Sequence, residues 1–300
     1  LPDAADAAAQ TPANQMVEMV STDAPRALAR FKNGYADAVI GGRYASLPYV
    51  YSIGITRSRL QIDPTSGLFG LAFQQERGFW ADPTHRLALS SLIRRDRLIR
   101  AFRLTDWPAQ TSLRLANAAR SDLPPPAIPS WTDVSDPARA ASMQRLVAIW
   151  TAGGNDAPTL KIFLPDGPGS TILFGYIAAD FIRAGITAER VTDNRSADLI
   201  LLDEVAPNDD PIWPLRRLSC RRDTLCDKAI ADQIALANSQ ADGAERTATV
   251  LQAEADMLRS GSFLPIAAPL RWTVSKLRFT GVQPNSRAHH PLKWLAAATK

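Results

Sequence analysis

The residues best suited to chemistry lie in one acidic run, Asp203-Glu204-Val205-Ala206-Pro207-Asn208-Asp209-Asp210-Pro211-Ile212-Trp213, directly after an apolar stretch at 199–202. Carboxylates beside an indole can hold an ammonium group against an aromatic wall. Ligands of open α/β sheets settle outside the carboxyl ends of strands. Asp203, Glu204, Asp209, Asp210 and Trp213 are therefore the candidate ligand-binding residues. The competing reading is a solvated acidic turn, for which Asp210-Pro211 is the signature.

Other reactive residue types form no constellation. Cys220 and Cys226, six positions apart, have no neighbouring His or further Cys to complete a zinc site, so a local disulfide is expected, with two reduced thiols as the alternative. Closing so short a loop contributes about 2 kcal/mol and persists only in an oxidising compartment. His85 is far in sequence from the adjacent pair His289 and His290, which argues against a metal centre. No nucleophile elbow, zincin pair, dinucleotide fingerprint or phosphate loop occurs, and no enzyme is expected. Gly167-Pro168-Gly169-Ser170-Thr171 lacks a phosphate-binding lysine and reads as a plain strand-to-helix turn. The arginines at 86, 94, 95, 97, 100 and 103 read as a solvated helix face around a buried stripe of Leu92, Leu98 and Ile99.

The elements that must position these groups alternate between strand and helix. Residues 16–20 read as a strand, Ala24-Pro25 opens a helix that stops at Gly34, and 36–40 is a second strand ending in Gly41-Gly42. Residues 68–73 are a further strand. Asp82-Pro83 starts a helix expected to run unbroken to about Phe102, and the prolines between Trp107 and Trp131 indicate a long surface crossing. Asp136-Pro137 begins the next helix. Strand 160–164, helix 171–184, strand 186–191 and buried strand 199–202 then follow in the order of an α/β domain. A helix around 229–237 and another opened by a capping box of Asp242 and Glu245 lead to a tail of strands and turns from Phe263.

The 300 residues are 46% hydrophobic and 21% charged, enough to bury a sizeable core. A net charge of +4 from 34 basic and 30 acidic residues is too slight to imply nucleic acid. No apolar run approaches the roughly 18 residues of a membrane span. Leu1-Pro2-Asp3 has neither an initiator Met nor a signal peptide, so a processed or truncated chain is expected.

The order of these segments resembles the peptide, dipeptide and nickel class, family 5, of extracytoplasmic solute-binding proteins of ABC transporters. The likeness rests on the helix and G-x-x-D element from Arg26 to Asp37, and on Leu71-Ala72-Phe73-Gln74 with the arginine-rich helix from Asp82. The segments between 160 and 191, the acidic turn with the Cys loop, and the closing stretch from Phe263 through Trp272 to Asn285 extend it through most of the chain.

The resemblance implies a periplasmic-binding-protein-like, two-lobed α/β fold with mixed sheets, and a considerably longer protein whose further part precedes Leu1. Residues 1–75 and 264–300 would belong to one lobe and 76–263 to the other, with Phe73, Gln74 and Pro265 at the hinge. It further implies a monomeric periplasmic receptor, lipid-anchored through its N-terminus or free, which captures a peptide-like or other small solute between its lobes. Delivery is to an ABC permease in the membrane, with no cofactor and no nucleic-acid partner. In dipeptide receptors of this class a carboxylate after the buried strand meets the ligand amino group. Asp210 stands at the matching Asp-Pro, while Glu204 and Pro207 replace the usual Trp and Asp. A ligand-sensing domain of a transcription regulator of the same ancestry is the alternative.

Overall fold

The computed structural model describes residues 16–114, 123–221, 223–277, 279–291 and 294–297. The helices in chain order are α1 (Ala24–Lys32), α2 (Leu47–Ser52), α3 (Pro83–Leu92), α4 (Arg95–Ala101), α5 (Asp136–Ala152), α6 (Pro168–Ile182), α7 (Trp213–Leu218), α8 (Lys228–Ser239) and α9 (Ala244–Ser260). The strands are β1 (Ala38–Arg43), β2 (Leu60–Ile62), β3 (Gly67–Phe73), β4 (Thr159–Phe163), β5 (Thr187–Val191), β6 (Leu199–Val205), β7 (Phe263–Ala267), β8 (Arg271–Ser275), β9 (Phe279–Thr280) and β10 (Ala296–Ala297). The chain divides into two compact units, Leu1–Thr65 with Leu270–Lys300, and Ser66–Pro269.

The first unit is built on the antiparallel sheet β1-β8-β2. Asp23 caps α1 by accepting from the Arg26 amide at 2.9 Å, and Leu28 and Phe31 turn inward from that helix. The strand expected to end at Gly41-Gly42 runs through both glycines to Arg43, with an irregularity between Val39 and Gly42. Its cause is Trp272, whose ring lies where a Gly42 side chain would begin, 2.0 Å from an ideal Cβ, and whose indole N–H donates to the Arg43 carbonyl at 2.8 Å. Residues 16–20, expected as a strand, have no regular structure.

The second unit carries the sheet β5-β4-β6-β3-β7. β4 pairs in parallel with β5 and β6, while β3 runs antiparallel to both β6 and β7, so the sheet is mixed. On one face Leu68, Ala72, Ile200 and Leu202 pack with Leu215 of α7, Ile230 and Ile234 of α8, and Val250 and Met257 of α9. Burial of such apolar surface is the main stabilising contribution in this layer.

Four local expectations are corrected. The helix expected from Asp82 to Phe102 breaks at Ile93, whose ψ of 112° is extended. The break frees the Ser90 and Ile93 carbonyls, which accept from the buried Arg95 guanidinium at 3.1 Å each, while Asp180 of α6 accepts from the Arg94 amide at 2.9 Å. Arg86 and Arg95 are thus core residues rather than part of a solvated face. Arg86 donates to Trp80, Ala81 and Ser260 carbonyls, and burial pushes its guanidinium below the ordinary range.

The crossing from Trp107 to Trp131 falls partly outside the described residues, but its ends are not a surface path. Trp107, Leu113 and Arg114 are buried, and Arg114 pairs with Glu254 of α9 at 2.9 Å. Finally, the Asp242–Glu245 capping box does not form. Gly243 is the N-cap without a side-chain bond, and Asp242 is taken by Arg246 at 2.6 Å.

Candidate ligand-binding edge

β4, β5, β6 and β7 all end at the same edge of the second unit's sheet, where β3 begins. Ser66 and Pro269, the two points at which the chain passes to the other unit, lie next to that edge. Crevices beside the carboxyl ends of parallel strands are the usual seats of ligands in such sheets.

The acidic run is divided by the fold. β6 extends to Val205, beyond the residue 202 expected, so Asp203 and Glu204 are strand residues and project to opposite faces. Glu204 shares the face of α7, where the Arg217 guanidinium grips it at 2.6 and 2.7 Å and also donates to Asp223 at 2.6 and 3.1 Å. Burial works against the Arg217 charge, but the hydrogen bonds to Glu204 and Asp223 outweigh it and raise its pKa above the usual range. Asp203 stands opposite Phe69 on β3.

Asp209 lies in the exposed turn that follows β6. Asp210 accepts from the Ile212 amide at 3.0 Å and pairs with Arg216, while its carbonyl accepts from the Trp213 amide at 3.1 Å. Trp213 is the first residue of α7 and packs, half-buried, against the apolar layer beneath. The structure therefore brings Glu204, Asp209, Asp210 and Trp213 to one end of β6 and turns Asp203 away. Sequence reading missed Arg216 and Arg217. Their signal was the Trp213-Pro214 pair, a helix start that puts the two guanidiniums three and four positions on, back over the acidic turn.

The Cys220–Cys226 disulfide forms in the loop between α7 and α8. The loop it closes contributes Asp223 to Arg217, and the Leu225 amide donates to the Phe73 carbonyl at 2.7 Å. The loop thus spans from the carboxyl end of β6 to the far end of β3.

Of the expected hinge residues, Phe73 and Pro265 sit within strands and Gln74 directly follows one. Phe73 is fully buried in β3 opposite Leu199, and the Gln74 amide donates to the Asp198 carbonyl at 3.0 Å. Pro265 lies in β7 opposite Gly70, and its carbonyl accepts from Arg95 at 2.8 Å. β7 is an edge strand, where a missing amide donor is tolerated. The chain passes between its two compact units at 65/66 and 269/270, and β3 and β7 pair within the sheet of the second unit.

Among the described residues, no group of three or more His, Cys, Asp or Glu could hold a metal ion, and no helix is long and apolar enough to cross a membrane.

No family model matches the chain, and no curated protein matches it by sequence. Solved structures do share its fold. The murein tripeptide binding protein MppA of Escherichia coli superposes with a TM-score of 0.75 at 18% identity, over 92% of this chain and 56% of its own. OppA of Haemophilus influenzae, in complex with the peptide RPPGFSPFR, gives 0.73 at 12% identity, over 91% and 56%. NikA of Brucella suis, in complex with Fe(III)-EDTA, gives 0.68 at 16%, over 92% and 60%. The chain has the mixed α/β fold of the periplasmic peptide- and nickel-binding proteins and spans somewhat over half the length of these neighbours.

Proposed function

We propose that this chain is the solute-capturing part of a receptor for an ABC importer and takes a peptide-like or other small solute at the carboxyl edge of the β4–β6 sheet. The observation that supports this most is the fold itself, shared over nine-tenths of the chain with proteins described as binding a murein tripeptide, a peptide and a metal chelate. Fold alone does not carry function; the polar residues at the edge give the reading its chemistry. Asp209 and Trp213 are the proposed solute contacts. Glu204 and Asp210, already held by Arg217 and Arg216, set the position of the turn, so a solute ammonium must compete with a guanidinium for them. Asp203, on the other face of β6, is left out of the proposed contacts.

The two passages at 65/66 and 269/270 are the proposed hinge strands. An extracytoplasmic setting agrees with the periplasmic neighbours and with the disulfide, which needs an oxidising compartment. Lipid anchoring and a permease partner belong to this proposal. Binding without turnover is expected. Thermal unfolding of the protein expressed from its own gene, with di- and tripeptides, sugars and metal chelates, tests it. A true ligand at 100 times its Kd adds about 2.7 kcal/mol of stability and is recovered chemically unchanged. A panel without any shift, or a ligand returned as product, defeats the proposal.

A further inference from the structure

The passage at 65/66 leaves the first unit through Asp63-Pro64-Thr65, directly after β2. Asp63 is buried. Its amide donates to the Arg271 carbonyl of β8 at 3.0 Å, and its own carbonyl accepts from the Thr65 amide at 2.9 Å. That second bond closes a three-residue turn around Pro64, whose ring fixes φ. The carboxylate is taken by the C-terminal tail. One oxygen accepts from the Asn285 amide at 3.1 Å and the other from the His290 ring at 3.2 Å, with the His290 and Asp63 side chains only 3% and 1% exposed. An ionised carboxylate only accepts, so His290 Nε2 carries the donated hydrogen.

The tail is shaped to present those two donors. The Asn285 side chain accepts from the Arg287 and His289 amides at 3.1 and 3.0 Å and donates to the Gln283 and His289 carbonyls at 3.1 and 2.9 Å, closing residues 283–290 into one loop. Within it Ala288 has a φ of 51°, a left-handed conformation that a non-glycine residue keeps only when its surroundings hold it. On the far side of the passage, the Ser66 carbonyl accepts from the Ala206 amide at 2.8 Å within the second unit. Only Pro64 and Thr65 separate the two anchored points, Asp63 and Ser66, and Pro64 has no free φ.

We infer that Asp63 is a positioning residue for this passage, and that the loop 283–290 is a clasp which, through His290 and the Asn285 amide, confines bending of the passage to the torsions around Thr65 and Ser66. The inference rests on the two passages being hinge strands. Strand pairing alone does not supply this restraint, because β2 ends at Ile62 and the single backbone bond from Asp63 to β8 leaves a pivot. Two charge-assisted bonds to the carboxylate remove it.

His290→Phe keeps an aromatic ring and removes the donor, whereas His290→Gln restores an N–H. In the protein expressed from its own gene, amide exchange at Thr65 and Asn285 is expected to quicken roughly 10-fold or more in His290→Phe and to recover in His290→Gln, with the β8 amides unchanged. Spin labels at Arg30→Cys and Ser239→Cys, one exposed position in each unit, report the distance between the units, and its distribution is expected to widen in His290→Phe. Asp63→Asn keeps the oxygen that accepts from Asn285 and loses the one that accepts from His290, so it must widen the distribution as well. Exchange quickened equally along β8 signals loss of the fold and overturns the inference, as does an unchanged distribution in either variant. Widened distances beside a solute panel without any shift defeat the receptor reading alone; a true ligand with unwidened distances defeats the clasp alone.

Discussion

The Arg95 guanidinium is the most informative group to remove. It is buried, without a carboxylate partner among the described residues, and donates to the Gln110 carbonyl at 3.0 Å, the Pro265 carbonyl at 2.8 Å, the Ser90 and Ile93 carbonyls at 3.1 Å each, and the Ser90 hydroxyl at 3.2 Å. One face lies over the Trp131 ring, whose centroid is 5.0 Å away, and Arg139 stacks on the same ring at 5.5 Å. Burial pushes its pKa down to about 9, so the group stays protonated at neutral pH.

Arg95→Met removes five hydrogen bonds, two of them shared by the one Nε–H, from four carbonyls and a hydroxyl. An orphaned buried acceptor costs about 1–3 kcal/mol, and some of that is returned because no charge is then desolvated. If relaxation leaves two acceptors unsatisfied, the net loss is about 3 kcal/mol. Urea unfolding followed by tryptophan fluorescence measures it, with Trp131 as a local reporter. Arg95→Lys should recover only part of the loss, since an ammonium is a point donor and cannot reach carbonyls on both sides of the fork. A loss below about 1 kcal/mol for Arg95→Met, or full recovery by Lys, would refute the view that the broken helix is held open by this guanidinium.

Glu254→Leu, which leaves Arg114 buried without its partner, should cost about 3–5 kcal/mol, and the double change with Arg114→Leu should cost less than the two single changes added; denaturant midpoints for the three variants form the cycle. Reducing the Cys220–Cys226 bond should lower stability by about 2 kcal/mol and loosen Arg217, seen as faster amide exchange at Leu225; an unchanged melt in reductant contradicts this. Asp82 caps α3 by accepting from the Thr84 amide at 2.7 Å, and that bond, with the Thr84 side chain, lowers its pKa. Its contribution is therefore complete above the ordinary carboxylate range and disappears as pH falls through the lowered value, so Asp82→Asn should flatten the acid limb of stability measured between pH 6 and 2.

The alternation of strand and helix from 159 to 205, the proline-led helix starts at Ala24, Pro83 and Asp136, and the local disulfide were all legible in the residues, because each depends on contacts within a few positions. What the sequence could not show is where charges find partners. Arg86 and Arg95 look like a solvated face on a helical wheel, yet the carbonyls they meet include those of Gln110, Pro265 and Ser260, 15 to 174 positions away. Asp203 and Glu204 look like one site, but two-residue strand periodicity sends them to opposite faces once β6 is seen to run to Val205. Likewise β1 runs on to Arg43 and β6 to Val205, past their expected ends, because pairing with distant segments, not local composition, decides where a strand ends. The sequence by itself determined the kinds and order of the elements. Tertiary structure alone decided which polar groups are buried, which carboxylates already have a guanidinium, and where the chain passes between its two units. Those outcomes depend on long-range hydrogen bonds and burial, which local periodicity does not encode.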